Sequence, residues 1–480
     1  MTRTVASRLP ATEPLSDADL MTLRTDVGPA PLNIGAVLLL GRGARTHDVS
    51  RLLADRLGSV PRLRQVLVEP PHGRPVWSDD PDLDVTTHIT SAVAAGAGRE
   101  GPGLDVVLDL AAGILTTPLP RSWPPWRTVV LTAPGDDEVI AVVVMLHHVV
   151  ADGLGGLLLL DRLTDDACDD RTDRTGGETG GHGASGTAPA GIRERSGARP
   201  EPPRARWVSR VRRGWHELGR PRAVTAPRTS LNRPTGPNRT LRVVSVPLAP
   251  LRTAAHCHRA TLNDVLLVAV TGAMGGLLRR RGESASHLVV SVPVSGRRPG
   301  DTGLGNRSGV MPVRVPIDGD AERRLHAVAG TTRTLRSRVR GDSAALLVPA
   351  FRVLAAVGAF RWFVEHQRMV TTFLSNVPGP VRPVLLGGAP VLGLVPLTTT
   401  SGNIGVSFAA LSYAGELTVT LTADPGVVPE VDVLAGLLAT ELTDLAALAT
   451  LADLSDAAGT NGPVPRAHPA AGSIHGRLPE

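Results

Sequence analysis

No lysine occurs among the 480 residues, so all 51 basic side chains are arginine and the net charge of +6 is an arginine excess. That bias explains the calculated pI of about 10.7 without any nucleic-acid partner. The arginines are scattered, apart from residues 204–222 and Arg279-Arg280-Arg281, and few aromatics are interleaved with them, which argues against nucleic-acid binding. A basic face that meets anionic lipid or a phosphorylated cofactor fits better. Cysteine is nearly missing. Cys168 and Cys257 exclude a disulfide framework and suit a reducing, cytoplasmic compartment. Aromatics make up 2%, so Leu, Val and Ala must fill the core. Long apolar runs are also missing: the nearest, residues 344–364, is interrupted by Pro349, Arg352 and Arg361 and is expected to lie on an interface. Residues 1–15 carry arginines and no continuous apolar stretch, so no signal peptide is expected there.

What the chain does have is a soluble mixture of 42% hydrophobic and 20% charged residues, and length enough for two or three domains with substantial cores. Residues 15–19 open like a helix capped by Ser16. Strands are expected at 31–40, 64–69 and 84–90, and helices at 46–57, capped by Thr46, and 104–114. Residues 127–132 and 138–147 read as a hairpin across Ala133-Pro134-Gly135-Asp136-Asp137, with a helix from Gly153 to Leu163. Residues 165–222 lose their apolar content and read as a disordered linker ending in a basic segment. The second half repeats the mixture. Strands are expected at 241–246, 287–292, 309–315, 370–376, 404–413 and 416–423; helices at 249–259, 263–281, 321–340, 343–367 and 429–448. The prediction is an α/β (α+β) protein of two comparable domains, 1–164 and 223–452, with a site between them and a disordered tail at 453–480.

The costliest residues stand at the end of the apolar run 139–146: His147-His148, followed by Asp152-Gly153. Ionisable groups beside a core must be paired or used. Neighbours on a strand face opposite ways, so one histidine should be structural and the other free to act. The same divergence argues against a metal held by both with Asp152. Nor is zinc expected at His256-Cys257-His258, whose side chains fan out around a helix. With no Gly-x-Ser-x-Gly elbow and no cysteine in a nucleophile's setting, a histidine base would have to activate the substrate directly.

The stretch His147-His148-Val149-Val150-Ala151-Asp152-Gly153 resembles the HHxxxDG motif of the coenzyme A-dependent acyltransferase superfamily, which includes chloramphenicol acetyltransferase and condensation domains. Further stretches, in order, resemble the bacterial wax ester synthase/diacylglycerol acyltransferase family. They are Leu15-Ser16 to Asp19, Pro125-Trp126, Leu262-Asn263-Asp264-Val265-Leu266, Pro293-Val294-Ser295-Gly296-Arg297 with Gly305-Asn306, Ser375-Asn376-Val377-Pro378-Gly379-Pro380 and Ser412-Tyr413-Ala414-Gly415.

The resemblance implies two chloramphenicol-acetyltransferase-like domains with a substrate tunnel between them. His148 would be the general base that takes the hydroxyl proton of diacylglycerol or a long-chain alcohol, with acyl-CoA as co-substrate and no other cofactor. His147 would support it, and Asp152 would anchor the loop, with Arg297 as its expected partner. Gly153 would leave room for the chain to turn and the tunnel to pass. Asn263, Ser295 and Asn376 are candidates to position substrate or the oxyanion; by themselves Asn263 reads equally as a helix cap and Asn376 as a turn residue. The implied setting is cytoplasmic, peripheral to membrane or lipid inclusions. Asn33 stands where the family commonly has histidine, and Arg127 where an acidic residue is usual, which leaves substrate preference open. Two further readings are transfer to another alcohol or amine, as in condensation domains, and a non-catalytic lipid-surface protein.

Overall fold

Residues 139–146 are apolar without alternation, the pattern of a strand covered on both faces. In the computed structural model this stretch is β7 (Val139–His147), a central strand whose residues are almost all buried. The structure describes residues 12–71, 73–95, 103–120, 122–165, 225–295, 304–306, 308–338 and 359–459. The expected linker, the end of the tail, Arg297 and most of the 344–364 stretch lie outside these residues.

On one side of β7 lies β2 (Asn33–Leu40), antiparallel, with Asn33 opposite His147. On the other lies β6 (Trp126–Thr132), also antiparallel, so the hairpin forms where it was expected. β6 pairs in parallel with β5 (Ile89–Val93) at the sheet's edge. Residues 84–88 are not strand: Val85–His88 is a short 3-10 turn capped by Asp84, whose side chain accepts from the Thr86 N–H.

The other edge of this sheet comes from the second half of the chain. β12 (Leu385–Leu386) and β13 (Ala389–Leu397) extend it to six strands, β13 pairing with β2. The division at 164 and 223 therefore does not separate the sheets. Tyr413, the only tyrosine, fastens the exchange: its hydroxyl donates to the Val391 carbonyl at 2.8 Å and accepts from the Val384 N–H at 2.9 Å.

A second six-stranded sheet runs β10 (Ser308–Pro316), β9 (His287–Ser295), β11 (Thr372–Pro378), β14 (Val406–Tyr413), β15 (Glu416–Ala423), β8 (Thr240–Pro247). β14 turns into β15 through Ala414 (φ 47°) and Gly415 (φ 90°), both left-handed, the geometry of a two-residue hairpin turn. A small sheet of β1 (Thr12–Pro14), β4 (Val76–Asp79) and β3 (Gln65–Val68) flanks the first.

The helices pack on these sheets. In the first half they are α1 (Asp17–Thr25), α2 (Thr46–Gly58), α3 (Leu104–Thr116) and α4 (Gly153–Leu163). The N-cap of α2 is Arg45, not Thr46, whose hydroxyl bonds to the Asp137 carbonyl instead. In the second half they are α5 (Leu248–Cys257), α6 (Leu262–Arg280), α7 (Ala321–Arg338), α8 (Phe360–His366) and α9 (Val431–Gly459). The last continues to Gly459, into the stretch expected to be tail. α6 has the length and hydropathy of a membrane span, but 78% of that window is buried, as a core helix would be.

The register that places His147 is held by close approach of β2 to β7. A Cβ on Gly35 would collide with the Val144 carbonyl of β7. Overpacking of this kind typically costs about 1–3 kcal/mol. Gly35→Ala is therefore expected to lower the urea midpoint by an equivalent amount; an unchanged midpoint would show that the two strands can separate without loss.

Candidate active site

The chain leaves β7 in a tight turn. The His148 N–H donates to the Leu32 carbonyl at 2.8 Å, and the Val150 N–H reaches back to the His147 carbonyl at 2.9 Å. Asp152 then caps α4, its Oδ1 accepting from the Gly155 N–H at 2.9 Å. Such a cap contributes about 1 kcal/mol. Asp152 thus acts at a helix N-terminus; Arg297, expected as its partner, is outside the described residues.

The two histidines divide. His147 is buried, and its Nε2 lies 3.2 Å from Asp26 Oδ2. The Val149 N–H donates to His147 Nδ1 at 3.1 Å. An N–H donor at Nδ1 requires a lone pair there, so in the neutral ring the proton sits on Nε2 and is donated to Asp26. Asp26 also accepts from the Leu32 N–H through Oδ1 at 3.1 Å, tying the strand that enters the site to the strand that leaves it.

His148 has the opposite tautomer. Its Nδ1 lies 3.1 Å from Asn306 Oδ1. The orientation of that amide is fixed from its other end, where Nδ2 donates to the His148 carbonyl at 2.7 Å and to Asp19 Oδ1 at 3.0 Å. The Asn306 N–H donates to the same Asp19 oxygen at 3.0 Å. With its oxygen turned toward the ring, Asn306 can only accept, so the His148 proton sits on Nδ1 and the lone pair on Nε2. That is the state a general base requires. Burial pushes the His148 pKa below the ordinary imidazole value, with Asp152 and Asn306 acting weakly the other way.

Asp19 serves both halves at once. Its Oδ2 accepts from Ser16 Oγ at 2.7 Å and from the Ser16 N–H at 3.3 Å, completing the capping box of α1. The segment bearing Asn306 reaches the motif through a bridge between Ala151 and Gly305. Gly305 has φ 109°, a conformation that favours glycine.

The other expected residues have separate settings. Gly153 starts α4 against β11, where a Cβ would meet Val377 Cγ2 at 3.0 Å. Asn376, the residue before Val377, is a strand residue paired with Ala410, not part of a turn. In the same segment, a Cβ on Gly379 would collide with the Ser412 carbonyl. Asn263 is in the first turn of α6, but the cap is Thr261, in a capping box with Asp264. The Asn263 Oδ1 is buried with no partner among the described residues. Ser295 ends β9 opposite Ser308. Asn33 is fully buried beside His147 and donates to the Leu115 and Thr117 carbonyls at 2.9 and 3.0 Å, fastening the end of α3 to β2.

The wax ester synthase/diacylglycerol acyltransferase catalytic domain matches residues 15–266, and the C-terminal domain of the same family matches residues 304–446. This chain belongs to that family. It is an acyltransferase, from a family that acts on acyl-CoA and an acyl acceptor. A probable diacylglycerol O-acyltransferase of Mycobacterium tuberculosis is 31% identical over 426 residues, 84% of this chain and 89% of that protein. The fold is similar to the wax ester synthase/diacylglycerol acyltransferase from Marinobacter aquaeolei VT8, at TM-score 0.63 and 21% identity, covering 91% of this chain and 99% of that one. It is also similar to the first condensation domain of the calcium-dependent antibiotic synthetase, at TM-score 0.60 and 20% identity, covering 92% and 97%. The acyltransferase's two-domain fold is thus the one anticipated.

Asp19, Asp26 and Asn306 were not singled out as functional. Asp19 looked like an ordinary capping acid, and Asn306 stood only as a neighbour of Gly305 in a family stretch. Because the Asn306 amide is committed to His148 and Asp19, Asn306→Ala should lower kcat by part of the ~100- to 10,000-fold a positioned base contributes. KM should change little. In the wild type the lowered His148 pKa keeps Nε2 unprotonated to lower pH, so the acid limb of kcat/KM should fall below about 6.5. A limb above that value, or full kcat in the variant, would contradict this role.

Proposed function

We propose that this acyltransferase moves a long-chain acyl group from acyl-CoA to diacylglycerol or a long-chain alcohol by direct transfer, with His148 as general base. The observation that carries the proposal is the His148 tautomer, which puts a lone pair on Nε2 at the domain junction. The acceptor hydroxyl gives its proton to Nε2 as its oxygen attacks the thioester carbonyl. A tetrahedral oxyanion forms; it collapses, the C–S bond breaks, and the coenzyme A thiolate leaves, receiving the proton from the imidazolium. The acyl donor arrives already activated as a thioester, so the step needs no further cofactor and no metal. Asn263, Asn376 and Ser295 are the proposed positioning groups for substrate or oxyanion; the unpartnered Asn263 Oδ1 supports a polar ligand there.

The proposed setting is cytoplasmic, against a membrane or lipid inclusion. Trp362 on α8 supports it: an indole 64% exposed, stacked on His366 and beside Arg361, has the composition of an interfacial contact. Both substrates would reach the junction of the two halves through a tunnel, the coenzyme A thioester and the alcohol from different sides.

A purified chain should release free thiol from palmitoyl-CoA only when hexadecanol or diacylglycerol is present. His148→Ala should reduce that release by about 100- to 10,000-fold. Full activity in the variant would refute the mechanism. The fold shared with condensation domains supports a second reading, transfer from a carrier-bound thioester; turnover only with an acyl carrier protein would select it.

A further inference from the structure

The histidines around Cys257 do not form a site together, but one of them joins a different group. Cys257 is exposed at the end of α5. His258 follows as the C-cap and is largely buried by α7. Its Nδ1 lies 3.4 Å from His326 Nε2 and 3.6 Å from Glu322 Oε1, and those two atoms are 3.8 Å apart. We propose that His258, Glu322 and His326 form a binding site for one zinc-class divalent ion that clamps the end of α5 to α7.

The triangle has the right size. A tetrahedral ion with zinc bonds of ~2.0–2.2 Å holds its ligand atoms about 3.3–3.6 Å apart, so separations of 3.4, 3.6 and 3.8 Å need close by only a few tenths of an ångström. Two nitrogens and one oxygen suit zinc better than magnesium or calcium, which prefer oxygen alone. The side chains are placed by independent means. Glu322 and His326 are four residues apart on α7 and share a face. His258 is fixed by the termination of α5, where Arg259 turns left-handed (φ 50°) and the Ala260 N–H reaches back to the Ala255 carbonyl at 2.8 Å. The carbonyl end of that helix favours a cation.

The polar contacts of the His258 ring are made by Nδ1, within the cluster; Nε2, on the far side of the ring, is buried without a partner among the described residues. His258 and His326 also line a cavity of about 320 Å³, which leaves a fourth coordination position open to solvent or a small ligand. Arg259 and Arg333 line the same cavity, and their charge opposes a cation. Arg333, however, donates to the Arg259 carbonyl at 2.9 Å, which commits part of its guanidinium to the backbone.

The test uses the tag-free full chain, stripped by chelator and titrated with cobalt(II) by visible absorption, then with zinc. One cobalt per chain with tetrahedral-type bands, displaced by zinc, and a higher melting temperature in zinc are expected. His326→Ala and Glu322→Gln should each lose the binding and the thermal shift; His326 is exposed on its helix, so its variant should melt like the metal-free wild type. Cys257→Ser should bind normally. Absence of cobalt binding, binding undiminished in His326→Ala, loss in Cys257→Ser, or stabilisation by inorganic phosphate in place of metal would each overturn the proposal.

Discussion

The Asp19 carboxylate is the contact on which the site depends, because its two oxygens are committed to different parts of the chain. One closes the capping box of α1; the other holds the backbone and side-chain N–H groups of Asn306, 287 residues away in sequence. That hold, together with the His148 carbonyl that also accepts from Asn306 Nδ2, turns the amide oxygen to the His148 ring. The hydrogen bonds are individually modest, about 1 kcal/mol each. Their combined consequence is orientational: they exclude the ring tautomer that would cover Nε2 with a proton. The proposed base, His148, is therefore held by residues from both halves of the chain.

The rest of the architecture brings those halves together. β13 completes the first sheet with strand from the second half, and Tyr413 bolts β14 to the same hairpin through both lone pair and proton of its hydroxyl. β11 approaches the start of α4 closely enough that Gly153 has little room for a side chain. The motif's helix is thus packed closely against the second sheet. Burial keeps the imidazole neutral, which is useful to a base and would be a liability for a histidine needed as a cation.

Much of this was legible in the residues. The unbroken apolar run of β7 and the turn residues after β6 announced the central hairpin. Period-two geometry predicted that His147 and His148 would part, and Asp26 and Asn306 now identify their separate surroundings. β13 was missed because Pro390, Gly393 and Pro396 are strand-breaking residues; it tolerates them beside a bulge between Val391 and Gly393. Asp19 and Asn306 were missed as functional residues for a different reason. A capping acid carries one local signal, and nothing local reveals that its second oxygen is used by a distant segment. Asn263 and Asn376 show the reverse: their types suggested caps and turns, while the structure puts one inside a helix already capped and the other in mid-strand.

The most direct measurement of the central claim is the His148 tautomer, read from nitrogen-15 shifts and two-bond couplings in chain labelled at histidine, with the signal assigned by its loss in His148→Gln. At neutral pH the ring should carry its proton on Nδ1, and Asn306→Ala should convert that single state into a mixture. A His148 ring protonated on Nε2 in the wild type, or a tautomer indifferent to Asn306, would contradict the account.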